Sequence, residues 1–270
     1  MTSQPRFCFV ALEHKYDEHY KDLVASLRKY CPEGDVFAYN SGARNSPAGS
    51  LDQLGVSRLP VSRPLEYAKV TPFFFDVFEW AVHQNYEYIV NVESDMAFIG
   101  PGFGQFLAEF MPGVDHLAPG FSRRTPPTSR WRPYRSLRPE LAELLAILGT
   151  DFTNRCFSPG QVFSARYFTA LLESPIYPAL RAFVERNQLP GRSFTLQEVL
   201  LPTLPDVLGL TVQDYPAHMS RFNRYRPYHA RASVEEASQR ANIHFVHPVR
   251  RDENHPARQF VRALLTEQGA

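Results

Sequence analysis

The sequence predicts a single α/β domain in which a mixed, mostly parallel sheet is flanked by helices. Residues 6–12 are an apolar run rich in aromatic and β-favouring residues, which is typical of a buried strand. Apolar side chains at helical spacing follow over 20–27, and residues 35–39 then form a second short apolar run. A strand, a helix and a strand within about 35 residues form a βαβ unit, whose two strands are parallel.

Strands and helices continue to alternate through the rest of the chain. Thr71 is predicted as the N-cap of a helix whose first residue is Pro72 and whose end lies near Asn85. The alternation gives way to Pro- and Arg-rich sequence near 100–120, so we divide the domain into residues 1–110 and residues 111–270. Apolar runs and helical spacing predict further strands at 57–61, 86–92 and 242–247, and further helices at 139–148, 165–173, 177–187, 195–201 and 255–267.

The composition is that of an ordinary globular protein. A chain of 270 residues that is 44% hydrophobic and 21% charged can bury a sizeable core, which excludes a disordered chain and a coiled coil. The net charge of +1 gives no indication of a nucleic-acid partner. Three scattered cysteines and an N-terminal apolar run too short for a signal peptide predict a cytoplasmic protein. Its preference for arginine over lysine suits a GC-rich bacterial genome as well as anion binding.

Two acidic residues follow the predicted strand that ends at Val92. In open α/β sheets ligands bind beyond the carboxyl ends of the strands, and Glu93 and Asp95 lie there, two residues apart and on the same side of an extended chain. Neighbouring carboxylates repel each other unless a cation neutralises them, and Mg²⁺ or Mn²⁺ bound to a diphosphate does so. The alternative is that both acids are solvated turn residues or helix caps.

The order of these elements resembles a known family. A strand–helix–strand unit followed by an apolar strand that ends in acid-x-acid resembles the GT-A (Rossmann-like) fold of nucleotide-sugar-dependent glycosyltransferases, and Glu93-Ser94-Asp95 resembles their DxD motif. Glu93 departs from the motif, since its first residue is Asp. Residues 158–164 resemble the glycine-containing turn and strand that shape the acceptor side, and residues 243–249 are similar to the C-terminal strand whose histidine completes the metal site.

This resemblance implies a glycosyltransferase that moves a sugar from a nucleotide-sugar donor to a hydroxyl acceptor, which is a sugar, a glycan or a small molecule. Residues 1–110 would bind the nucleotide sugar and residues 111–270 the acceptor. Asp95, with Glu93 and His247, would bind Mn²⁺ or Mg²⁺ on the donor diphosphate. His244 and His247 are three residues apart on a strand and point to opposite faces, so at most one of them joins the site.

Glu198 is the candidate catalytic base. It lies in a predicted helix beside apolar residues, and its position resembles the one from which inverting GT-A enzymes present a carboxylate to the acceptor hydroxyl. A retaining enzyme needs no such base, and Glu198 is otherwise a solvated helix residue. Asp151 and Asp214 are weaker alternatives, because both lie next to the ends of predicted elements.

Several cations complete the candidate site. Lys69 and Arg63 precede the predicted helix at Thr71 and could contact a nucleotide, while Arg250 and Arg251 follow His247 and could neutralise a diphosphate without a metal. The segment 120–138 contains six arginines, three prolines, Trp131 and Tyr134, and is predicted to be a mobile loop. This loop would bind an acidic or phosphorylated acceptor, close over the sugar nucleotide, make transient contact with an anionic membrane surface, or be merely solvated. Nucleic acid ranks last among its partners.

Two other functions compete with sugar transfer. A nucleotidyltransferase also uses acids and a metal on a related fold, but it carries a glycine-rich basic loop after its first strand, and the sequence there is ALEHKYDEH. A sugar- or nucleotide-binding protein without catalysis, built on a decayed transferase fold, is the second. The glycines of 100–104 are interpreted as a turn, since Gly-Lys-Ser/Thr is missing.

Overall fold

The computed structural model describes residues 5–13, 17–42 and 54–266, and a seven-stranded sheet runs through its centre. Within this part of the chain the strands are β1 Phe7–Glu13, β2 Asp35–Asn40, β3 Ser57–Arg58, β4 Tyr88–Val92, β5 Ala97–Phe98, β6 His116–Leu117, β7 Val162–Ser164, β8 Val212–Gln213 and β9 Phe245–Val246. The order in the sheet is β3-β2-β1-β4-β7-β6-β8. Only β7 is antiparallel to its neighbours in this sheet, so the predicted mixed, mostly parallel α/β fold is confirmed.

The helices cover both faces of this sheet. They are α1 Glu18–Tyr30, α2 Thr71–Ala81, α3 Phe103–Phe110, α4 Arg132–Leu137, α5 Leu141–Leu148, α6 Ala165–Glu173, α7 Tyr177–Arg186, α8 Gln197–Leu208, α9 Ala217–Ser220, α10 Arg231–Ser238 and α11 Pro256–Thr266. Helices α1, α3, α10 and α11 pack into one apolar core. Helices α2 and α4 to α8 pack into a second core on the other face. None of the described helices has the length and apolar character that crossing a bilayer requires.

Strand β1 lies in the middle of the sheet because both of its faces are apolar. Phe7 and Phe9 enter the core formed with α1 and α11, whereas Cys8 and Val10 enter the core formed with α2 and α6. A strand buried on both faces has a continuous apolar sequence instead of an alternating one. The run predicted at 6–12 is therefore β1, paired in parallel with β2 and β4.

Three predicted boundaries are wrong in detail. Thr71 is the first residue of α2 and not its N-cap, which is Val70, and the Thr71 hydroxyl lies 3.3 Å from Gln197 Oε1. Helix α2 also ends at Ala81, before the predicted end near Asn85. Helix α8 continues through two prolines to Leu208, well beyond the predicted end at residue 201.

Two other segments differ in kind from the prediction. The strand predicted over 242–247 contains only two strand residues, and it pairs with β5 as a separate two-stranded sheet. The segment 120–138 is not a loop throughout, because α4 forms within it and buries Pro133, Tyr134 and Leu137. The division at residues 110 and 111 stays a prediction, and one sheet takes strands from both halves.

Candidate active site

The candidate site is built where β4 ends, in the middle of the large sheet. Asn91 is the penultimate residue of β4. Its side-chain amide donates to the Ser158 carbonyl at 2.9 Å, and its backbone N–H donates to the Gln161 carbonyl at 2.9 Å. The Met96 N–H then donates to the Glu93 carbonyl at 2.8 Å, which closes a tight turn. These bonds fix the turn that carries Glu93 and Asp95 against the segment 158–161.

Asp95 is a buried carboxylate with two cationic or polar neighbours. Its Oδ1 lies 3.3 Å from an Arg251 guanidinium nitrogen and 3.5 Å from His247 Nε2. Burial alone would raise the pKa of Asp95, but contact with His247 and the charge of Arg251 outweigh burial and hold that pKa below its usual range. Asp95 is therefore ionised, and Oδ1 still lacks a hydrogen-bond donor among the described residues.

The segment after β9 carries His247 into contact with Asp95. The His247 N–H donates to the Phe222 carbonyl at 2.8 Å, and the ring stacks on Phe157 with centroids 5.9 Å apart. His244 lies elsewhere, with Nδ1 2.8 Å from the Pro101 carbonyl oxygen. The structure thus separates the two histidines, and only His247 is next to the acidic residues.

Ser158 connects Glu198 to the acidic turn. The Ser158 N–H donates to Glu198 Oε1 at 3.3 Å, and the hydrogen bond of Ser158 with Glu93 acts to lower the Glu93 pKa. Burial and the charge of Asp95 nevertheless raise the pKa of Glu93. Burial and the charge of Glu93 raise the pKa of Glu198 to about 8. Carboxyl groups from two distant parts of the sequence, 93–95 and 198, therefore form one cluster around Ser158.

The other predicted residues lie outside this cluster. The Lys69 ammonium donates to the Leu189 carbonyl, and Arg63 forms ion pairs with Asp76 at 2.8 Å and Glu185 at 2.6 Å. Arg250 is exposed, and its neighbour Arg251 makes the contact with Asp95. Of the alternative bases, Asp151 is exposed and Asp214 accepts backbone N–H bonds from Gly120 and Tyr215 at 2.9 and 2.7 Å.

Arg258 is a residue of this region that sequence reasoning missed. Its side chain is fully buried on α11 and donates to the carbonyls of Ser94 and Val249, each at 3.4 Å. It also lies 3.4 Å from Asp22 on α1. The available signal was an arginine among the buried residues of an amphipathic helix, between Ala257 and Val261. Arg258 joins the turn that carries Asp95 to the segment that carries His247.

The side chains of this site could hold a divalent metal only if a bound phosphate group supplied the remaining coordinating oxygens. Among the described residues no three His, Cys, Asp or Glu side chains are grouped to hold a metal ion. Asp95 Oδ1 is nevertheless an ionised oxygen beside Glu93 that accepts no well-formed hydrogen bond among the described residues, although Arg251 and His247 lie 3.3 and 3.5 Å from it. Metals in nucleotide sites commonly take one or two carboxylates and complete their coordination with phosphate oxygens. Asp95, Glu93 and His247 suit such a site.

No protein-family model and no curated protein matches the sequence, but solved structures resemble the fold. Core-mannan synthase A (CmsA/Ktr4) from Aspergillus fumigatus, in an Mn/GDP form, is 11% identical over 79% of this chain and 73% of its own, with a TM-score of 0.42. The mannosyltransferase Ktr4p from S. cerevisiae is 9% identical over 78% and 69%, with a TM-score of 0.42.

A third similar structure covers nearly the whole chain. It is a glycosyltransferase involved in the glycosylation of the major capsid of PBCV-1, 10% identical over 96% of this chain and 98% of its own, with a TM-score of 0.48. All three structures are glycosyltransferases, the class that the sequence motifs resemble. Each likeness is remote, so the function of this protein is inferred from its own site.

Proposed function

We propose that this protein transfers a sugar from a nucleotide-sugar donor to the hydroxyl group of a sugar, a glycan or a small molecule. One observation carries the proposal: Glu93, Asp95 and Glu198 converge around Ser158 at the carboxyl end of β4, beside His247 and Arg251. The carboxyl ends of parallel strands are where α/β folds bind nucleotides. A transferase needs both an anion-binding side and a proton acceptor, and this cluster offers both.

The donor side consists of Asp95, Glu93, His247 and Arg251. The three metal-ligand candidates would hold Mn²⁺ or Mg²⁺, which supplies positive charge to the diphosphate as it leaves. The Arg251 guanidinium is 46% exposed, so it can donate to a phosphate oxygen while it stays close to Asp95. Contacts of Lys69 and Arg250 with the nucleotide sugar stay predictions, as does the assignment of the donor to residues 1–110.

The acceptor side centres on Glu198. An inverting displacement needs a carboxylate that takes the proton from the attacking hydroxyl, and a base works best when its pKa is near the operating pH. The buried environment of Glu198 gives it such a pKa, and the Ser158 N–H orients one of its oxygens. Glu198 would deprotonate the acceptor hydroxyl as that oxygen attacks the anomeric carbon and the nucleoside diphosphate departs.

An assay of the released product tests this function against its two competitors. The protein would be incubated with a panel of nucleotide sugars and Mn²⁺, with thermal shift as the measure of binding. Release of nucleoside diphosphate is the expected result. Formation of nucleoside triphosphate and sugar 1-phosphate once pyrophosphate is supplied would instead identify a nucleotidyltransferase, and binding without release would identify a binding protein. A cytoplasmic location, a bacterial source and the lack of a nucleic-acid partner stay predictions from the sequence composition.

Asp95→Asn is the variant that tests the site itself. It keeps the shape of the side chain and removes the charge that faces His247 and Arg251. We expect nucleoside diphosphate release to fall by about 10² or more, the scale of losing a charge stabiliser, and the Mn²⁺-dependent part of donor binding to disappear. Glu173→Gln is the control, because Glu173 is exposed at the end of α6 and outside the cluster. Near-normal release by Asp95→Asn would contradict the proposed donor site.

A further inference from the structure

The arginine-rich segment 120–138 is anchored to the rest of the protein by backbone hydrogen bonds and by a packed helix. Ser122 and Arg155 exchange backbone hydrogen bonds of 2.9 and 3.0 Å, and the Thr125 N–H donates to the Thr153 carbonyl at 2.6 Å. Helix α4 then anchors the end of the segment through its buried side chains. The proposed transfer reaction uses none of these arginines, so they need an explanation of their own.

Four arginines here form what we call the arginine cluster: Arg124, Arg130, Arg132 and Arg155. Three of their guanidinium groups lie over aromatic rings. The guanidinium carbon of Arg124 is 4.7 Å from the ring centroid of Phe152, that of Arg132 is 4.7 Å from Phe194, and that of Arg155 is 6.0 Å from Trp131. Aromatic stacking covers the face of a guanidinium and leaves its N–H edge free to bind a phosphate or carboxylate in bidentate fashion.

The charge of the arginine cluster is not neutralised by the protein. Across the described residues, none of the four forms an ion pair with an Asp or Glu within 4.0 Å. Asp151, an exposed acid next to Phe152 in the sequence, pairs with none of them either. The adjacent Arg123 differs, since it pairs with Asp206 at 2.6 Å. Positive charges on neighbouring segments of the chain, without counter-charges, attract an anionic ligand.

The arginine cluster adjoins the acceptor side of the candidate site. Arg155 is followed by Cys156, whose N–H donates to the Glu198 carbonyl at 3.0 Å, and then by Phe157, which stacks on His247. Ser158, the next residue, donates to the Glu198 carboxylate. A ligand whose anionic group contacts Arg155 is therefore only a few residues of chain away from the proposed base.

We propose that the acceptor carries a phosphate or carboxylate group and that the arginine cluster binds it. This inference rests on the proposed function, because it assigns the ligand's hydroxyl group to Glu198. The anionic group docks on Arg155, Arg132 and Arg124, and it fixes which acceptors present a hydroxyl to the base. The cluster thus selects anionic acceptors over neutral ones of the same size.

Trp131 provides a direct measurement of this binding. The chain has two tryptophans, so Trp80→Phe leaves Trp131, beneath Arg155, as the sole indole fluorophore. Glucose 6-phosphate, glucuronate and neutral methyl glucoside would be titrated without any donor, and calorimetry on the natural sequence would check the result if Trp80→Phe folds poorly. We expect saturable binding of the two anionic sugars only, weakening as salt rises.

Charge-removing variants locate the binding and complete the test. Arg155→Gln and Arg132→Gln should each weaken anionic sugar binding by about tenfold, the effect of losing one charge-assisted hydrogen bond. Arg123→Gln, the matched control, should bind normally because Asp206 already pairs with Arg123. Equal binding of the neutral glucoside, or equal binding by Arg155→Gln, would overturn the proposal.

Two further arms separate the alternatives. A response to phosphatidylglycerol vesicles but not to soluble anionic sugars would identify a membrane-binding surface and overturn the proposal. Binding is measured without turnover, so a protein that binds anionic sugars but releases no nucleoside diphosphate refutes the transferase function alone. A protein that releases nucleoside diphosphate but binds no anionic sugar refutes the acceptor proposal alone.

Discussion

Glu198 shows how one residue can be both destabilising and useful. Its side chain is 8% exposed and close to another acid, so its charged form is disfavoured in the folded protein. A base needs that charged form, yet a carboxylate with an ordinary pKa would be a weak proton acceptor. The burial that raises the Glu198 pKa also increases its strength as a base, which favours a functional role over a solvated helix residue.

The Glu198→Gln variant tests the catalytic role. It keeps the shape of the side chain and the hydrogen bond from Ser158, but it cannot take a proton. We expect turnover to fall by about 10² or more, while donor affinity stays close to that of the natural sequence. Glu173→Gln, at the exposed end of α6, is the control in the same kinetic assay. Normal turnover in Glu198→Gln would direct attention to Asp151, Asp214 or a retaining mechanism.

The pH dependence of turnover follows from the same residue. With a pKa of about 8, Glu198 is mostly protonated at pH 7 and becomes a competent base as the pH rises through 8. We therefore expect turnover to rise between about pH 7 and 9, and to lose this rise when Glu198 is replaced by Gln. A pH profile of kcat measured on both proteins checks this. A profile flat across that window in the natural sequence would contradict the assignment.

Stability should change with pH in the opposite sense. The folded state keeps the Glu198 proton up to about pH 8, whereas the unfolded chain releases it near 4.5, so the free energy of unfolding falls as the pH rises between these values. Glu198→Gln removes this loss. At pH 9 the variant should melt roughly 4 °C or more above the natural sequence, and at pH 4 the two should be alike. A stability difference that does not depend on pH would be the contrary result.

At the scale of elements, the sequence predicts what depends on local pattern. The apolar run at β1 and the stripe of α1 have the periods of a strand and a helix, and both were predicted within two residues or so of their ends. The N-cap at Thr71 was wrong because a tertiary contact with Gln197 engages its hydroxyl. The early end predicted for α8 was wrong because apolar packing carries that helix past Pro202 and Pro205.

Helix α11 should stabilise the candidate site through Arg258. Replacing Arg258 by Met removes the donor to the carbonyls of Ser94 and Val249 and leaves them buried without it. We expect the free energy of unfolding to fall by about 3 kcal/mol, the usual cost of breaking a buried charged network. Hydrogen exchange should also become faster at residues 93–96 and 247–251. Urea unfolding and mass-detected exchange are the measurements.

Arg262→Met is the matched control for this prediction. Arg262 lies on the same helix and contacts the same acid, Asp22, at 2.9 Å, but among the described residues it donates to no carbonyl of the site segments. It should therefore lower stability less and leave exchange at residues 93–96 unchanged. If both variants loosen those residues equally, α11 acts on the site only through overall stability and Arg258 has no specific role.

At the scale of the whole molecule, the site depends on contacts that no local pattern contains. The acid pair was predictable because a strand ends in carboxylates, and His247 because a short apolar run precedes it. Arg250 was the arginine predicted to bind the donor, yet its neighbour Arg251 is the one that lies 3.3 Å from Asp95, and no local pattern distinguishes these two adjacent arginines. The proximity of Glu198 to Glu93 likewise needs the turn at Ser158, which lies between them in space.

The last prediction concerns the two predicted halves of the chain. Strand β4 pairs with β1 on one side and with β7 on the other, and β5 pairs only with β9 among the described strands. A fragment of residues 1–110 therefore loses β7 and β9, and it exposes Ile89, Val90 and Phe98 of the core. Each buried apolar side chain contributes roughly 1.5–3 kcal/mol, so this loss exceeds the usual margin of stability. We expect the fragment alone to show no cooperative thermal transition by circular dichroism, and to regain one when residues 111–270 are co-expressed with it. A cooperative transition in the isolated fragment would mean that the nucleotide-binding half is a domain in its own right, and that the acceptor half with Glu198 is an addition to it.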